Sequence, residues 1–291
     1  MAEKARDIKR RIGSVESTKK ITNAMQLIAA SRIAKAQARV QKSRPFAKAI
    51  GDMIEQLASE AKSSPLLAER EQVSNVGLIV ITGDRGLAGA YNSSVLREAQ
   101  RAATREGEAG RQVKITSVGR KGAIYFKFRH TAIAAEFSGV SDKPRYVDAV
   151  EVAKEVIADY TQGRVDKVSI VYTDFVSTAL QRARVTQILP VPRPEIEKES
   201  TGEAQALFEF EPEPEALLDA LLPRYIEMKI YAALLESSTS EHAARMRAMK
   251  SATDKAEELI EIYERRANKA RQAEITNEIA DIVGATEALR K

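Results

Sequence analysis

The sequence of 291 residues contains no cysteine, no tryptophan and only two histidines. Without cysteine, the chain has no disulfide framework, no cysteine-ligated metal site and no thiol nucleophile. His130 and His242 are far apart in the sequence, so we expect neither a metal site nor a catalytic triad. Aromatic residues make up only 5% of the chain, which is typical of long helices and not of a compact enzyme core.

Long apolar runs are also missing. The first residues, Met-Ala-Glu-Lys-Ala-Arg, lack the apolar core of a signal peptide. No stretch of 18 or more apolar residues occurs, so no membrane-spanning helix is expected. We therefore expect an intracellular protein.

Two long segments contain neither glycine nor proline, namely residues 14–44 and 224–283. Apolar residues recur in both at intervals of three and four, which predicts helices. The pattern near the C-terminus continues through Ile275, Ile279 and Ile282. A helix of this length cannot bury its apolar stripe alone, so we predict that segment 212–289 pairs with segment 1–62 in an antiparallel coiled coil. Pro45 is expected to kink the first helix, and the polar run Glu236–Glu241 to interrupt the second.

The middle segment, 75–194, alternates between strand and helix patterns. This alternation predicts a small, partly parallel, Rossmann-like α/β domain, which makes the fold class mixed. The predicted strands are 76–82, 113–118, 168–172 and 183–189, and the predicted helices are 92–105 and 146–160. A proline-rich stretch follows and leads into an acidic linker, 195–211.

The charge of the chain is unevenly distributed, although its net value is only +5. Residues 1–50 hold 13 lysines and arginines against three acidic residues, whereas residues 195–219 hold nine acidic residues against Lys198. The N-terminal segment should therefore have an acidic partner. Nucleic acid and an acidic protein surface both satisfy this requirement, but the basic helix lacks interleaved aromatic residues and any zinc-finger or basic-zipper heptad arrangement.

A glycine-rich turn follows the first predicted strand and carries Gly83, Asp84, Arg85, Gly86 and Gly89. A turn between a strand and a helix is where a phosphate-binding loop would lie. However, no Gly-Lys-Ser/Thr follows, and the glycine spacing does not match the dinucleotide motif. The pattern favours a tight structural turn over a nucleotide site.

Several motifs together resemble the gamma-subunit family of F-type ATP synthases, over essentially the whole chain. They are Ile8-Lys-Arg-Arg-Ile12, Thr18-Lys-Lys-Ile-Thr-Asn-Ala-Met25, the turn Thr82–Asn92, the run Glu241–Asp254, and the C-terminal stretch Ala270–Ala285. Glu287 departs from the small or basic residue usual in the family. The absence of cysteine excludes the redox loop of photosynthetic members.

The resemblance implies a rotor shaft that lacks catalytic residues and cofactors and couples proton flow to ATP synthesis or hydrolysis. Its expected partners are the alpha, beta and epsilon subunits and the membrane c-ring, with one copy per complex at the cytoplasmic face of the bacterial cell membrane. Beta-subunit contacts are expected at Lys19, Lys20, Met25, Arg271, Gln272, Thr276 and Glu278, and epsilon-subunit contacts at Phe208 and Phe210.

Two other functions remain open from the residues alone. One is a different coiled-coil scaffold or adaptor, and the other, less favoured, is a nucleotide-binding enzyme that uses the Gly83–Gly89 turn.

Overall fold

The computed structural model describes residues 5–60, 64–192 and 214–288. Their elements, in chain order, are α1 (Ala5–Glu60), β1 (Asn75–Ile81), α2 (Tyr91–Glu108), β2 (Gln112–Val118), α3 (Arg120–Phe128), β3 (Ile133–Phe137), α4 (Tyr146–Thr161), β4 (Lys167–Phe175), β5 (Gln181–Leu189) and α5 (Pro214–Ala288). The predicted fold class, two long terminal helices around a small α/β domain, is confirmed. The chain divides into two compact units: residues 1–30 with 245–291, and residues 31–244.

The first unit is an antiparallel helix pair. Three contacts define the direction: the backbone N–H of Ala5 donates to Glu274 (3.2 Å), Lys19 pairs with Glu257 (2.7 Å), and the hydroxyls of Thr22 and Thr253 lie 2.7 Å apart. As the residue number rises along α1, it falls along α5, which is the antiparallel arrangement.

Inward-facing positions in this helix pair recur every seven residues, as in a left-handed coiled coil. Buried or half-buried residues occupy Ile8, Val15, Thr22 and Ala29 on α1, and Met249, Ala256, Tyr263 and Ala270 on α5. Alanine and threonine are small, so they let the two helix axes approach closely.

The apolar stripe of α5 extends beyond the part of the helix that pairs with α1. Described residues from Arg271 to Thr286 are all exposed, because the pairing contact nearest this end is the one between Ala5 and Glu274. Ile275, Ile279 and Ile282 are 44%, 56% and 66% exposed. The sequence pattern therefore predicted the helix correctly, but within the described residues this stretch has no covering partner.

The second unit contains a five-stranded sheet in the order β3-β2-β1-β4-β5, in which only β5 runs antiparallel to its neighbour. Successive residues of β1 point to opposite faces. Ile79 and Ile81 join a core with α4 and with the adjoining parts of α1 and α5. Val76, Leu78 and Val80 join a second core with α2. Both faces of the sheet are thus covered by helices.

The predicted interruption of the second helix was wrong, because α5 continues through Glu236–Glu241. α1 continues through Pro45, and the kink expected there stays a prediction. In α5 the polar side chains find partners: the hydroxyl of Thr239 donates to the carbonyl of Leu235 (2.7 Å), and the hydroxyl of Ser240 donates to the carbonyl of Thr173 (3.3 Å). A polar run therefore does not end this helix.

Candidate functional site

The turn after β1 is organised around the carboxylate of Asp84. One carboxylate oxygen accepts the backbone N–H groups of Arg120 (3.0 Å) and Gly139 (2.9 Å), and the other accepts the N–H of Ser141 (2.9 Å). The backbone N–H of Asp84 in turn donates to the hydroxyl of Ser141 (2.8 Å). The turn, the first residue of α3 and the loop after β3 are therefore held together by one side chain.

These hydrogen bonds also fix the charge of Asp84. Burial raises the pKa of its carboxyl, but the backbone donors Gly139, Ser141 and Arg120 lower it further, and the net pKa lies below the ordinary value. The carboxylate of Asp84 is thus an internal acceptor that joins this turn to α3 and to the loop after β3. This geometry favours a structural turn, which remains a prediction, over a nucleotide site.

The glycines of the turn lie in different surroundings. The N–H of Gly83 donates to the side-chain carbonyl of Asn92 (2.8 Å), and a Cβ at position 83 would lie 2.9 Å from the carboxyl group of Glu241. Gly89 has a φ of 54°. Gly86 lies near Lys121, and the side chain of Arg85 is exposed.

The proposed beta-contact residues near the N-terminus differ in their availability. Lys19 is ion-paired to Glu257 across the coiled coil, and its side chain is one-third exposed. Lys20 is exposed, and Met25 is half-buried. Lys20 is therefore the residue of the three that is best placed to meet an external acidic group.

The second set of proposed contacts lies on the exposed end of α5. Arg271, Gln272, Thr276 and Glu278 are all exposed, and the hydroxyl of Thr276 donates to the carbonyl of Gln272 (2.9 Å). Arg271 follows Glu257, the partner of Lys19, by 14 residues, which is about 21 Å of helix rise. The structure therefore presents two separate patches. Phe208 and Phe210 lie outside the described residues.

The histidines take no part in a metal centre in the described ranges. His130 is exposed, whereas His242 is buried with its Nε2 3.3 Å from the carbonyl oxygen of Asp142. Among residues 5–60, 64–192 and 214–288, no cluster of three metal-ligating side chains occurs. The helices in these ranges also include none that is long and apolar enough to cross a membrane.

Sequence reasoning missed the groups that complete the turn, namely Ser141 and the backbone of Gly139 and Arg120. It also missed an ion pair between Arg32 on α1 and Asp142 in the loop after β3. The sequence signal that could have located these groups is the pair of glycines at 119 and 139, which mark turns beside them and both adopt positive φ.

An antiparallel coiled coil and an α/β unit built on the same two long helices define a stalk-type protein. The family model described as ATP synthase matches residues 4–289. Relatives named ATP synthase gamma chain include those of Parafrankia sp. and Frankia casuarinae, both 48% identical over 99% of each chain. The chain therefore belongs to the ATP synthase gamma-chain family.

Solved structures agree with this assignment. The central stalk of the Tetrahymena thermophila mitochondrial ATP synthase is 27% identical, covers 80% of this chain and 99% of its own, and has a TM-score of 0.60. A chain of the Euglena gracilis mitochondrial ATP synthase is 17% identical, covers 98% and 94% of the two chains, and shares the fold with a TM-score of 0.66. The predicted family and the predicted role as a central-stalk subunit are thus confirmed.

Proposed function

We propose that this chain is the shaft that turns inside a ring of alpha and beta subunits and couples proton flow through a membrane c-ring to ATP synthesis or hydrolysis on beta. The observation that carries the proposal is the exposed apolar end of α5. Ile275, Ile279, Ile282 and Val283 are 44–66% exposed, and such a surface needs a cover. A surrounding ring of subunits would cover it and still let the helix rotate.

The coiled coil suits the transmission of torque. A single exposed helix lacks the tertiary packing that supplies most helical stability in proteins, whereas two helices packed in a coiled coil resist bending together. We infer a non-catalytic role, with ATP chemistry on the beta subunits, because the carboxylate of Asp84 is engaged in internal hydrogen bonds that favour a structural role for the glycine-rich turn. The same proposal includes the position at the cytoplasmic face of the cell membrane and the epsilon contacts at Phe208 and Phe210. It also includes the domain division 1–62, 75–194, 195–211 and 212–289.

Assembly tests the proposal directly. We expect the tagged chain, co-expressed with alpha and beta subunits, to purify with about three copies of each, as one shaft in a six-membered ring requires. The complex should hydrolyse ATP, and the chain alone should not. A chain that remains free of alpha and beta, or that binds nucleotide by itself, would instead support the adaptor or the enzyme interpretation.

The exposed lysine gives a finer prediction. Lys20→Ala should reduce ATP-driven proton pumping relative to ATP hydrolysis, because it removes the cation proposed to contact an acidic group of the beta subunit. The reduction should be partial, since an exposed ion pair contributes only about 0–1 kcal/mol. The measurement is the ratio of pumping to hydrolysis in membrane vesicles.

Lys19→Ala is the matched control, since Lys19 pairs within the coiled coil. We expect it to lower the stability of the coiled coil by at most about 1 kcal/mol. Its ratio of proton pumping to ATP hydrolysis should be closer to that of the parent than the ratio of Lys20→Ala. Equal loss of coupling in both variants would assign the effect to the shaft and not to a beta contact.

A further inference from the structure

A cleft of about 420 Å³ opens between α2 and the face of the sheet formed by β1, β4 and β5. Its size lies within the range of small-molecule pockets, roughly 300–1,000 Å³. Leu78 and Ala102 supply an apolar floor and are both at least 95% buried. Lys167 and Ser169 are the first and third residues of β4, so the cleft lies towards the amino ends of β1 and β4. It is thus separate from the Asp84 turn, which follows the carboxyl end of β1.

The wall of the cleft carries an excess of positive charge. Arg105, Arg111 and Lys167 line it together with one acidic residue, Glu106, and Arg105 also pairs with Glu98 nearby (3.5 Å). Glu106 accepts from Arg111 (2.6 Å) and Lys167 (3.4 Å). Burial raises the pKa of Glu106, but the hydrogen bond from Arg111 and the charge of Lys167 hold it below its ordinary value. Glu106 therefore positions two cations, and the three cations exceed the two carboxylates, Glu98 and Glu106, by one positive charge.

A buried hydroxyl also faces this space. Ser169 lines the cleft and is 5% exposed. Within residues 5–60, 64–192 and 214–288, its hydroxyl makes no hydrogen bond to another protein group. The hydroxyl oxygen is not one of the fully buried side-chain atoms that lack a partner, so it is open to the cleft, where water or a ligand can hydrogen-bond to it.

We propose that this cleft binds a small organic anion with an oxyanion head and a short apolar body. Lys167, Arg111 and the hydroxyl of Ser169 hold the head, because they are donors that match a carboxylate or a phosphate. Leu78 and Ala102 contact the apolar body. The site is independent of the proposed rotary function, since it lies wholly within the unit 31–244 and its ligand is bound by this chain alone.

Calorimetric titration of the full chain tests the site with four probes: hexanoate, hexyl phosphate, hexanamide and inorganic phosphate. We expect saturable binding of hexanoate or hexyl phosphate, and the tighter of the two identifies the head group. The neutral hexanamide should bind at least about tenfold more weakly, because a hydrogen bond to a charged group is stronger by roughly that factor. Inorganic phosphate should also be weaker, since it lacks the apolar body.

Substitutions locate the site. Lys167→Gln and Ser169→Ala should each weaken binding of the better probe by about tenfold. The matched controls Lys127→Gln, whose lysine pairs with Glu136 on the surface, and Ser93→Ala, on the exposed side of α2, should leave it unchanged. Circular dichroism shows whether each variant is folded, and Ser169→Ala keeps the charge network intact. The proposal is overturned if no probe saturates below about 10 mM, if hexanamide or inorganic phosphate binds as tightly as the better organic anion, or if both cleft variants bind like the parent.

Discussion

A Gly119→Ala variant is expected to lose a large part of the stability of the α/β unit. Gly119 adopts a φ of 94°, and a Cβ there would lie 2.1 Å from the carbonyl oxygen and 2.7 Å from the carbonyl carbon of Thr82. Both are backbone atoms at the end of β1, and they cannot turn aside as a flexible side chain could. The clash therefore has to separate β1 from the segment that enters α3.

The surrounding hydrogen bonds make that separation costly. The N–H of Thr82 donates to the carbonyl of Val118 (2.8 Å), and the hydroxyl of Thr82 accepts the N–H of Gly122 (2.9 Å). Positive φ alone costs a side chain about 1–2 kcal/mol. Adding the lost hydrogen bonds and the overlap, we expect at least about 4 kcal/mol, a large part of a typical stability of roughly 5–15 kcal/mol.

Two other glycines provide matched controls. Gly110 and Gly139 have φ values of 76° and 81°, but a Cβ at either would meet nothing within 4 Å. Their alanine variants should therefore show only the conformational penalty of about 1–2 kcal/mol. Urea unfolding of the full chain, followed by circular dichroism, measures all three. A Gly119→Ala variant that unfolds at the same urea concentration as Gly110→Ala would show that the close contact with Thr82 is unimportant.

The elements with strong local patterns were predictable from the sequence. β1, β4 and α4 combine apolar runs or helical periodicity with turn residues at their ends, and they were predicted within a few residues. α3 and β3 were not, because nine and five residues are too few to show a period. β3, in addition, contains two alanines and is stabilised by its pairing with β2.

The candidate sites were predictable only in part, because their contacts join residues that are far apart in the sequence. The turn at Asp84 could be predicted from its glycines, but the N–H groups that it binds come from residues 36, 55 and 57 positions later in the chain. The sequence also could not show that Lys19 is ion-paired whereas Lys20 is exposed. This difference depends on which of the two adjacent lysines faces Glu257, which lies 238 residues later in the chain. Local sequence reports the type of element, whereas these contacts depend on how distant elements pack.

Replacing Asp84 should release the contacts that join the turn, α3 and the loop after β3. In Asp84→Ala, three backbone N–H groups lose their acceptor, and we expect a loss of about 2–4 kcal/mol, because hydrogen bonds to a charged group are stronger than neutral ones. Asp84→Asn retains one acceptor oxygen without the charge and should lose about half as much. Asp52→Ala, an exposed carboxylate on α1, is the control and should change stability by less than about 0.5 kcal/mol.

The dependence on pH distinguishes the charge of Asp84 from its shape. Because its pKa in the folded protein lies below the ordinary value, the carboxylate contributes stability that is fully present above its unfolded pKa of about 3.9 and is lost as the pH falls through the lower folded pKa. The difference in unfolding free energy between the parent and Asp84→Asn should therefore be largest at neutral pH and shrink below about pH 4. Urea unfolding at pH 7 and pH 3 gives the comparison. A difference that stays constant over this range would mean that the N–H groups recognise the shape of the side chain, and that its charge adds nothing to the turn.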